Sequence, residues 1–361
     1  MRAATKRRET MAAARRSGGA LAVVGLLVCC SPCVSPAFVT LRPETTDLES
    51  AVRWAAAPDA AVGGAGLFDG IQVAIEPGLP EKLARAVSGE ARPEDVAAVE
   101  AAVRAAFAAW ESSVLRFEVT FDGPAERGPT VGREIDVFGV PESDPVFQDN
   151  QFFGVTDTAF EMVDGRVLTN GAVLPGFAFV GADIFLNLDT IAGISSIFTR
   201  EQQPAALQRL VMHETGHALG FGHPNVAAEF NYDTDDDPLN AMVIDPLDPL
   251  ADLRLSPNVN VNAVMSNLPN TLDALLLTAL TNDELGGRDA LYPGPPPTEC
   301  PADCDASGAV SIDELVRSVQ IGLGDALFLA CPAADRDRNL RVTVDELIAG
   351  VRAALEGCGL G

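Results

Sequence analysis

All three histidines of the chain lie within one stretch of eleven residues, HETGHALGFGH, at positions 213–223. On a helix, His213 and His217 are one turn apart and face nearly the same side, so both rings can direct a nitrogen at one ion. Gly220 lets the chain end the helix and turn back, because glycine adopts positive φ without a Cβ clash. His223 then returns from the other side and completes a set of three nitrogen ligands.

Three nitrogen ligands are typical of a catalytic zinc site, in which the fourth position is kept for water. Glu214 is rotated by about 100° around the helix from His213, so its carboxylate can lie beside that water rather than on the metal. The alternative is three solvated or core-satisfied histidines. The spacing favours the metal-site interpretation over this alternative. A metal site gives a separate geometric reason for the position of the glutamate, of the glycine and of each histidine.

HETGHALGFGH resembles the extended zinc motif of the metzincin metallopeptidases, and most closely the matrixin and serralysin branch. Members of that family also carry a methionine in a tight turn beneath the zinc. AVMSN at 263–267 makes Met265 its counterpart here. The resemblance implies a zinc-dependent endopeptidase acting on protein or peptide substrates, with Glu214 as general base. It also implies that the substrate adds a strand to a sheet edge, for which Gly154–Phe160 is the candidate.

Two departures from the family pattern limit what the resemblance implies. Asn267 stands where serralysins have a tyrosine able to approach the zinc, and Tyr232 and Tyr292 are less well placed by sequence. No cysteine lies between the leader and Cys300 that could act as a matrixin-type latency ligand. A tyrosine ligand and a cysteine-based zymogen are therefore not predicted.

Hydrophobic periodicity predicts the α+β fold class. Residues 94–111, 202–219 and 281–292 have the pattern of helices, and the last begins with a Thr281…Glu284 capping box. The first is amphipathic, and its predicted buried face is formed by Val96, Val99, Val103, Phe107 and Trp110. Short runs rich in branched and aromatic residues indicate strands; they are IQVAIEP, LRFEVTF, REIDVFGV, FFGVTDTAF and ADIFLNL. The resemblance implies a twisted mixed sheet with three main helices over residues 38–295.

Residues 303–314, DCDASGAVSIDE, fit the twelve-residue EF-hand loop, which surrounds Ca²⁺ with six to eight oxygens. Its candidate ligands are Asp303, Asp305, Ser307, Ser311 and Glu314, with Gly308 at the turn. A second copy begins at residue 335, with candidate ligands Asp335, Asp337, Asn339, Thr343 and Glu346. Leu340 replaces the turn glycine in that copy, which predicts weaker binding.

An apolar helical stretch follows each loop, so residues 296–361 are predicted to form a small all-α pair that resembles EF-hand and dockerin modules. Such a module makes a partner protein a further candidate. The alternative is a set of acidic turns in a disulfide-containing domain. The acidic segment 232–252 has two interpretations of the same kind, a solvated loop or a structural calcium site.

Residues 1–37 have a basic start, an apolar run and small residues near Ala37, as a secretory signal peptide does. They hold six basic residues and one acidic residue, so their removal changes the formal charge from −26 to −31. That charge argues against binding nucleic acid through its phosphates. Cys29, Cys30 and Cys33 leave a lipid-anchored form as the alternative to secretion.

The cysteines that remain after removal of the leader all lie in the C-terminal region; they are Cys300, Cys304, Cys331 and Cys358. An even number in an exported chain predicts two disulfides, whose pairing the sequence leaves open. The rival hypothesis for the whole chain is a calcium-dependent docking protein with a non-catalytic metzincin-like domain.

Overall fold

A five-stranded mixed sheet packs on one face against the two longest helices of the described residues, 93–110 and 203–218. The computed structural model describes residues 39–40, 51–55, 67, 70–147 except 113 and 122, 153–167, 173–224, 232–234, 242, 244, 250, 253–256, 260–293 except 268, 300–336 except 306, 324–325 and 327–329, and 342–358. The signal-peptide prediction for residues 1–37 lies outside these ranges. Residues 294–299, where the sequence places a domain boundary, lie outside them as well, and the division into two domains stays a prediction.

The strands of the described residues are β1 Val39–Thr40, β2 Ile71–Ile75, β3 Phe117–Thr120, β4 Ile135–Val140, β5 Gly154–Val167, β6 Val173–Asn187, β7 Phe221–Gly222, β8 Tyr232–Asp233 and β9 Arg254–Leu255. The helices are α1 Leu79–Ser88, α2 Pro93–Trp110, α3 Leu188–Ile191, α4 Ile194–Ile197, α5 Gln203–Ala218, α6 Asn282–Leu291, α7 Ile312–Gly322 and α8 Val344–Glu356. Short 3₁₀ turns occur at Pro145–Phe147, Asp273–Leu276 and Pro332–Ala334. The α+β fold class is confirmed.

The main sheet has the strand order β3-β2-β4-β6-β5. The first four strands are parallel, and β5 pairs antiparallel with β6 at the edge. Two small ladders pair β1 with β7 and β8 with β9, and an isolated parallel bridge joins Arg53 to Ala178. The antiparallel edge strand runs beside α5, the helix that carries the histidine motif.

Alternation along the strands separates two buried layers. Val73, Val137 and Ile184 point to the face covered by the helices and belong to the main core. Phe138 and Phe185 point to the other face, where their rings stack with centroids 5.3 Å apart. Strands that are buried on both faces are typical of parallel sheets, because connecting segments cover both sides.

Helix α2 packs against α5 with the face that the sequence predicts. Val99, Val103, Phe107 and Trp110 are buried, and all belong to the main core. Full burial of such side chains stabilises the fold by roughly 1.5–3 kcal/mol each. The α2–α5 pair therefore provides a rigid support for the residues that α5 presents.

Candidate metal site

Helix α5 presents His213, Glu214 and His217 in its last two turns and ends at Ala218. Gly220 follows with φ 99°, a left-handed conformation that favours glycine. A Cβ at this position would also collide with the backbone carbonyl of Val52. Both the backbone angle and the lack of space therefore require glycine at position 220, and the turn directs the chain through β7 to His223.

The three imidazoles converge through their Nε2 atoms. His223 Nε2 lies 3.0 Å from Nε2 of His213 and 3.0 Å from Nε2 of His217. Zinc–nitrogen bonds of 2.0–2.1 Å in a tetrahedral site place ligand nitrogens about 3.3 Å apart. The two distances to His223 Nε2 are therefore close to what one tetrahedral ion requires, and all three nitrogens lie within 4.8 Å of one another.

Hydrogen bonds on the other side of two rings fix their tautomers. His213 Nδ1 lies 2.7 Å from the carbonyl oxygen of Val264, and His217 Nδ1 lies 2.7 Å from that of Phe221. A carbonyl oxygen only accepts, so both Nδ1 atoms carry the proton. Both Nε2 atoms of the neutral rings then present lone pairs toward His223, an arrangement that is usual for metal-binding histidines.

A cation between the rings would relieve contacts that neutral rings alone leave unfavourable. The Nε2 of His223 can donate at most one proton to one neighbour, so at least one of its two contacts is not a hydrogen bond. Protonated rings do not solve the problem, because burial holds the pKa of His213 well below its usual range and lowers the pKa of His223 to about 3. Burial lowers the pKa of His217 as well. A soft divalent ion with nitrogen preference fits this donor set.

Glu214 lies beside the histidines with 4% of its surface exposed. Its Oε2 accepts a hydrogen bond of 2.7 Å from the hydroxyl of Thr156 on β5. Burial raises the pKa of Glu214 to about 7, against the opposing effects of the Thr156 hydrogen bond and the Arg209 charge. A carboxylate with a pKa near 7 is suited to exchange protons at neutral pH.

Met265 lies under the histidine helix. Its sulfur fills the space that a side chain on Gly216 would need, and Met265 is 2% exposed. The preceding Val264 accepts the hydrogen bond from His213, so the turn is joined directly to the site. Glu284, the capping-box residue of α6, accepts the backbone N–H of Met265 at 2.9 Å. The turn is therefore held from both α5 and α6.

Arg209 joins α5 to the same turn from one helical turn before His213. Its guanidinium donates to the carbonyl oxygens of Ala274 and Ser266, at 3.0 Å each, and it lies 3.3 Å from that of Ala263. Burial lowers the pKa of Arg209 to about 10. The arginine therefore remains charged at neutral pH and positions the backbone below the site.

Three large side chains satisfy carbonyl oxygens of α5 and the residue after it. The indole of Trp110 donates to Met212 at 2.9 Å, the indole of Trp54 to Ala218 at 2.9 Å, and the Tyr292 hydroxyl to Leu219 at 2.7 Å. Tyr292 is thus committed to the end of the helix rather than to the histidine cluster. The carbonyls of Ala218 and Leu219 lie at the helix end, where such groups lack helical partners, whereas Met212 lies within the helix.

The first predicted calcium loop brings three of its carboxylates together. Oxygens of Asp303, Asp305 and Glu314 lie within 4.8 Å of one another. Gly308 has φ 84°, as its place in the turn requires. Ser311 is the N-cap of α7 and forms a capping box with Glu314. The Ser307 hydroxyl lies 3.1 Å from the carbonyl oxygen of Ala309.

The second predicted loop is described only in part. Asp335 and Glu346 are buried, and Thr343 forms a capping box with Glu346 at the start of α8. Asp337 and Asn339 lie outside the described residues. Most of the acidic segment 232–252 lies outside them too.

The two C-terminal disulfides connect Cys300 with Cys358 and Cys304 with Cys331. The structure thus pairs the four cysteines in two bridges, a pairing that the sequence left open. Cys304 is the second residue of the first loop, so one bridge anchors that loop.

A pair of buried carboxylates lies on the sheet face opposite the helices. Asp136 on β4 and Asp183 on β6 are direct partners across the strands. Asp183 Oδ2 accepts the N–H of Gly128 at 2.6 Å, whereas Asp183 Oδ1 is buried without a hydrogen-bond partner. Burial raises the pKa of Asp136 to about 7 and that of Asp183 to about 6. The charged pair is therefore unfavourable in the folded protein.

Sequence reasoning missed Thr156 and Arg209. The Thr156 contact spans 58 residues of chain, and no local pattern predicts it. Arg209 did carry a signal, because a charged residue four positions before His213 lies on the same buried face of the helix.

Comparisons with protein-family models, curated proteins and solved structures found no match to this chain. Among the helices of the described residues, none has the length and apolar character needed to cross a membrane.

Proposed function

We propose that this chain is a zinc-dependent endopeptidase in which His213, His217 and His223 hold the metal and Glu214 is the general base. The observation that carries the proposal is the convergence of three Nε2 atoms, two of them on rings whose Nδ1 protons are bound to carbonyl oxygens. The resemblance of HETGHALGFGH to the metzincin motif supports zinc as the ion and a peptide bond as the target.

Zinc, when bound, polarises a substrate carbonyl and increases the acidity of water. Glu214 takes a proton from the attacking water and passes it to the nitrogen of the leaving amine, so the carboxylate is regenerated. Edge strand β5 lies directly beside Glu214 and is hydrogen-bonded to β6 on one side. An extended peptide pairing with its other side would bring a peptide bond close to the base.

The proposal is tested by zinc content and by cleavage of a denatured protein substrate. The purified protein should contain one zinc per chain, lose activity to a chelator and regain it on addition of zinc. Glu214→Gln should retain zinc and lose at least about a hundredfold in kcat, because proton transfer contributes roughly 10²–10⁴-fold. Glu118→Gln, an exposed glutamate on the far edge strand β3, is the matched control and should keep the parent rate. Parent-level cleavage by Glu214→Gln would refute the general-base role.

The cluster of Asp303, Asp305 and Glu314 supports a second part of the proposal, a calcium-binding C-terminal region. Under the rival hypothesis this region recruits a partner protein and the histidine site is non-catalytic. The two hypotheses differ in one measurement, since the docking protein would bind zinc and show no cleavage that depends on Glu214. Export of the chain, as a secreted or a lipid-anchored protein, stays a prediction.

A further inference from the structure

We infer that Thr156 is a positioning residue for the general base, so that strand β5 fixes Glu214 in addition to forming the candidate substrate edge. The inference rests on the proposed function. It concerns how the carboxylate is oriented, which neither the zinc ligands nor the histidine motif determines.

The hydroxyl of Thr156 is placed to orient one carboxylate oxygen. Its Oγ1 lies 2.7 Å from Glu214 Oε2 and 3.1 Å from the backbone carbonyl oxygen of Glu214. A hydroxyl has a single proton, and a charged acceptor at the shorter distance gives the stronger bond. The Oε2 atom is therefore tied to β5, and rotation of the carboxylate is restricted.

Gly154, two residues earlier on the same face of β5, determines where the other oxygen lies. A Cβ at Gly154 would be 2.6 Å from Glu214 Oε1 and 2.8 Å from its Cδ. Both distances are shorter than real Cβ atoms tolerate, so any side chain at this position would displace the carboxylate. Glu214 is thus hydrogen-bonded at one oxygen and packed against bare backbone at the other.

The contacts that position Glu214 involve other residues than those that orient the zinc ligands. Gly154 and Thr156 belong to β5, whereas His213 and His217 are oriented by carbonyl groups of Val264 and Phe221. No described hydrogen bond connects Thr156 with a histidine ring. Loss of the Thr156 hydroxyl should therefore change the geometry of the base and leave zinc affinity unchanged.

The test compares Thr156→Val, which is nearly isosteric and lacks the hydroxyl, with Thr156→Ser, which keeps it. We expect Thr156→Val to lower kcat by roughly ten- to a hundredfold, the effect of a misplaced catalytic group. KM and zinc content should stay within twofold of the parent. Thr156→Ser should retain most of the parent kcat, because it keeps the hydroxyl. Thr120 lies on the far edge strand β3, and Thr120→Val removes its hydroxyl bond to the Val73 carbonyl on β2; this control should keep the parent kcat.

A second measurement uses the metal-free protein and no activity assay. Thr156→Val should lower the melting temperature in the parent background and have a clearly smaller effect in a Glu214→Leu background, because the bond has already lost its acceptor. Gly154→Ala should reduce kcat in the same way as Thr156→Val, with zinc retained.

Each possible failure has a distinct meaning. If the parent protein shows no zinc-dependent cleavage, the proposed function is wrong. If the parent cleaves and Glu214→Gln does not, but Thr156→Val keeps the parent kcat, the inference about Thr156 is overturned. Equal losses for Thr156→Val and Thr156→Ser, or an equal melting shift in both Glu214 backgrounds, would also overturn it, because they would indicate a packing role.

Discussion

Replacement of Arg209 by methionine tests whether a buried cation holds the turn that carries Met265. Arg209 is 6% exposed, and it donates to the carbonyl oxygens of Ala274 and Ser266 at 3.0 Å each. Methionine has a long apolar side chain and no donor, so the substitution removes the hydrogen bonds while it keeps much of the packing.

The magnitude follows from two opposing contributions. Hydrogen bonds to a charged group contribute roughly 1.5–3 kcal/mol each, so the two bonds contribute about 3–6 kcal/mol. Burial lowers the pKa of Arg209 from 12.5 to about 10, and at 1.36 kcal/mol per pKa unit this corresponds to a cost of about 3 kcal/mol for the charged form. The carbonyl oxygen of Ala263 also loses a bond of 3.3 Å but still accepts the Ser266 N–H, and this loss adds about 1 kcal/mol. We expect the free energy of unfolding to fall by about 1–4 kcal/mol.

Urea unfolding of the metal-free protein measures this change. Arg209→Lys should give an intermediate loss, because one ammonium keeps the charge and cannot reproduce the planar guanidinium contacts. Arg104→Met, an exposed arginine bonded to one carbonyl and placed over the Phe121 ring, is the control and should change stability by less than about 1 kcal/mol. Zinc affinity of Arg209→Met should fall about ten- to a hundredfold, because Val264 in the same turn orients His213. Unchanged stability together with unchanged zinc affinity would refute the reasoning.

Three other perturbations have expected outcomes. Gly220→Ala should lower the free energy of unfolding by more than the ~1–2 kcal/mol of left-handed backbone strain, because the new Cβ would also collide with the Val52 carbonyl. Gly89→Ala is the control, since Gly89 has φ 77° and open space around it. In the same urea titration it should show the backbone strain alone. Asp183→Asn should raise the free energy of unfolding at pH 8 by about 1–3 kcal/mol. The pKa of Asp183 is about 6 in the folded protein, above its value in the unfolded chain. The parent protein therefore loses stability as the pH rises from about 4 to 7 and this carboxyl group ionises. The gain should vanish at pH 4, and a gain at pH 4 equal to that at pH 8 would contradict the assignment. Calcium should raise the melting temperature of the full chain, and Asp305→Asn should reduce that rise. The melting temperature without calcium should not change, because the asparagine oxygen can still accept the Ser307 N–H. A calcium shift that Asp305→Asn leaves intact would exclude the first loop as its source.

The sequence predicted those elements whose signal is local. The face of α2 and the capping box at Thr281 and Glu284 depend on residues three or four positions apart, and both are confirmed. The convergence of the histidines has the same origin, because helix geometry and one glycine turn relate all three within eleven residues. Local spacing therefore accounts for the positions of the candidate metal ligands.

Features that depend on distant residues were not predicted in the same detail. Strands β5 and β6 extend through Val167 and from Val173, well beyond the predicted runs 152–160 and 182–188. The added segments contain glycine, proline and charged residues, and they form strands because they pair with each other. The Thr156 contact with Glu214 likewise exists only once β5 lies beside α5.

The central claim is that three imidazole nitrogens hold one zinc ion, and zinc-edge X-ray absorption on the purified protein tests it most directly. We expect one zinc per chain with three nitrogen neighbours at about 2.0–2.1 Å. His223→Ala should reduce that number to two or abolish binding. A protein that takes up no zinc, or whose zinc environment is the same in His223→Ala as in the parent, would contradict the claim.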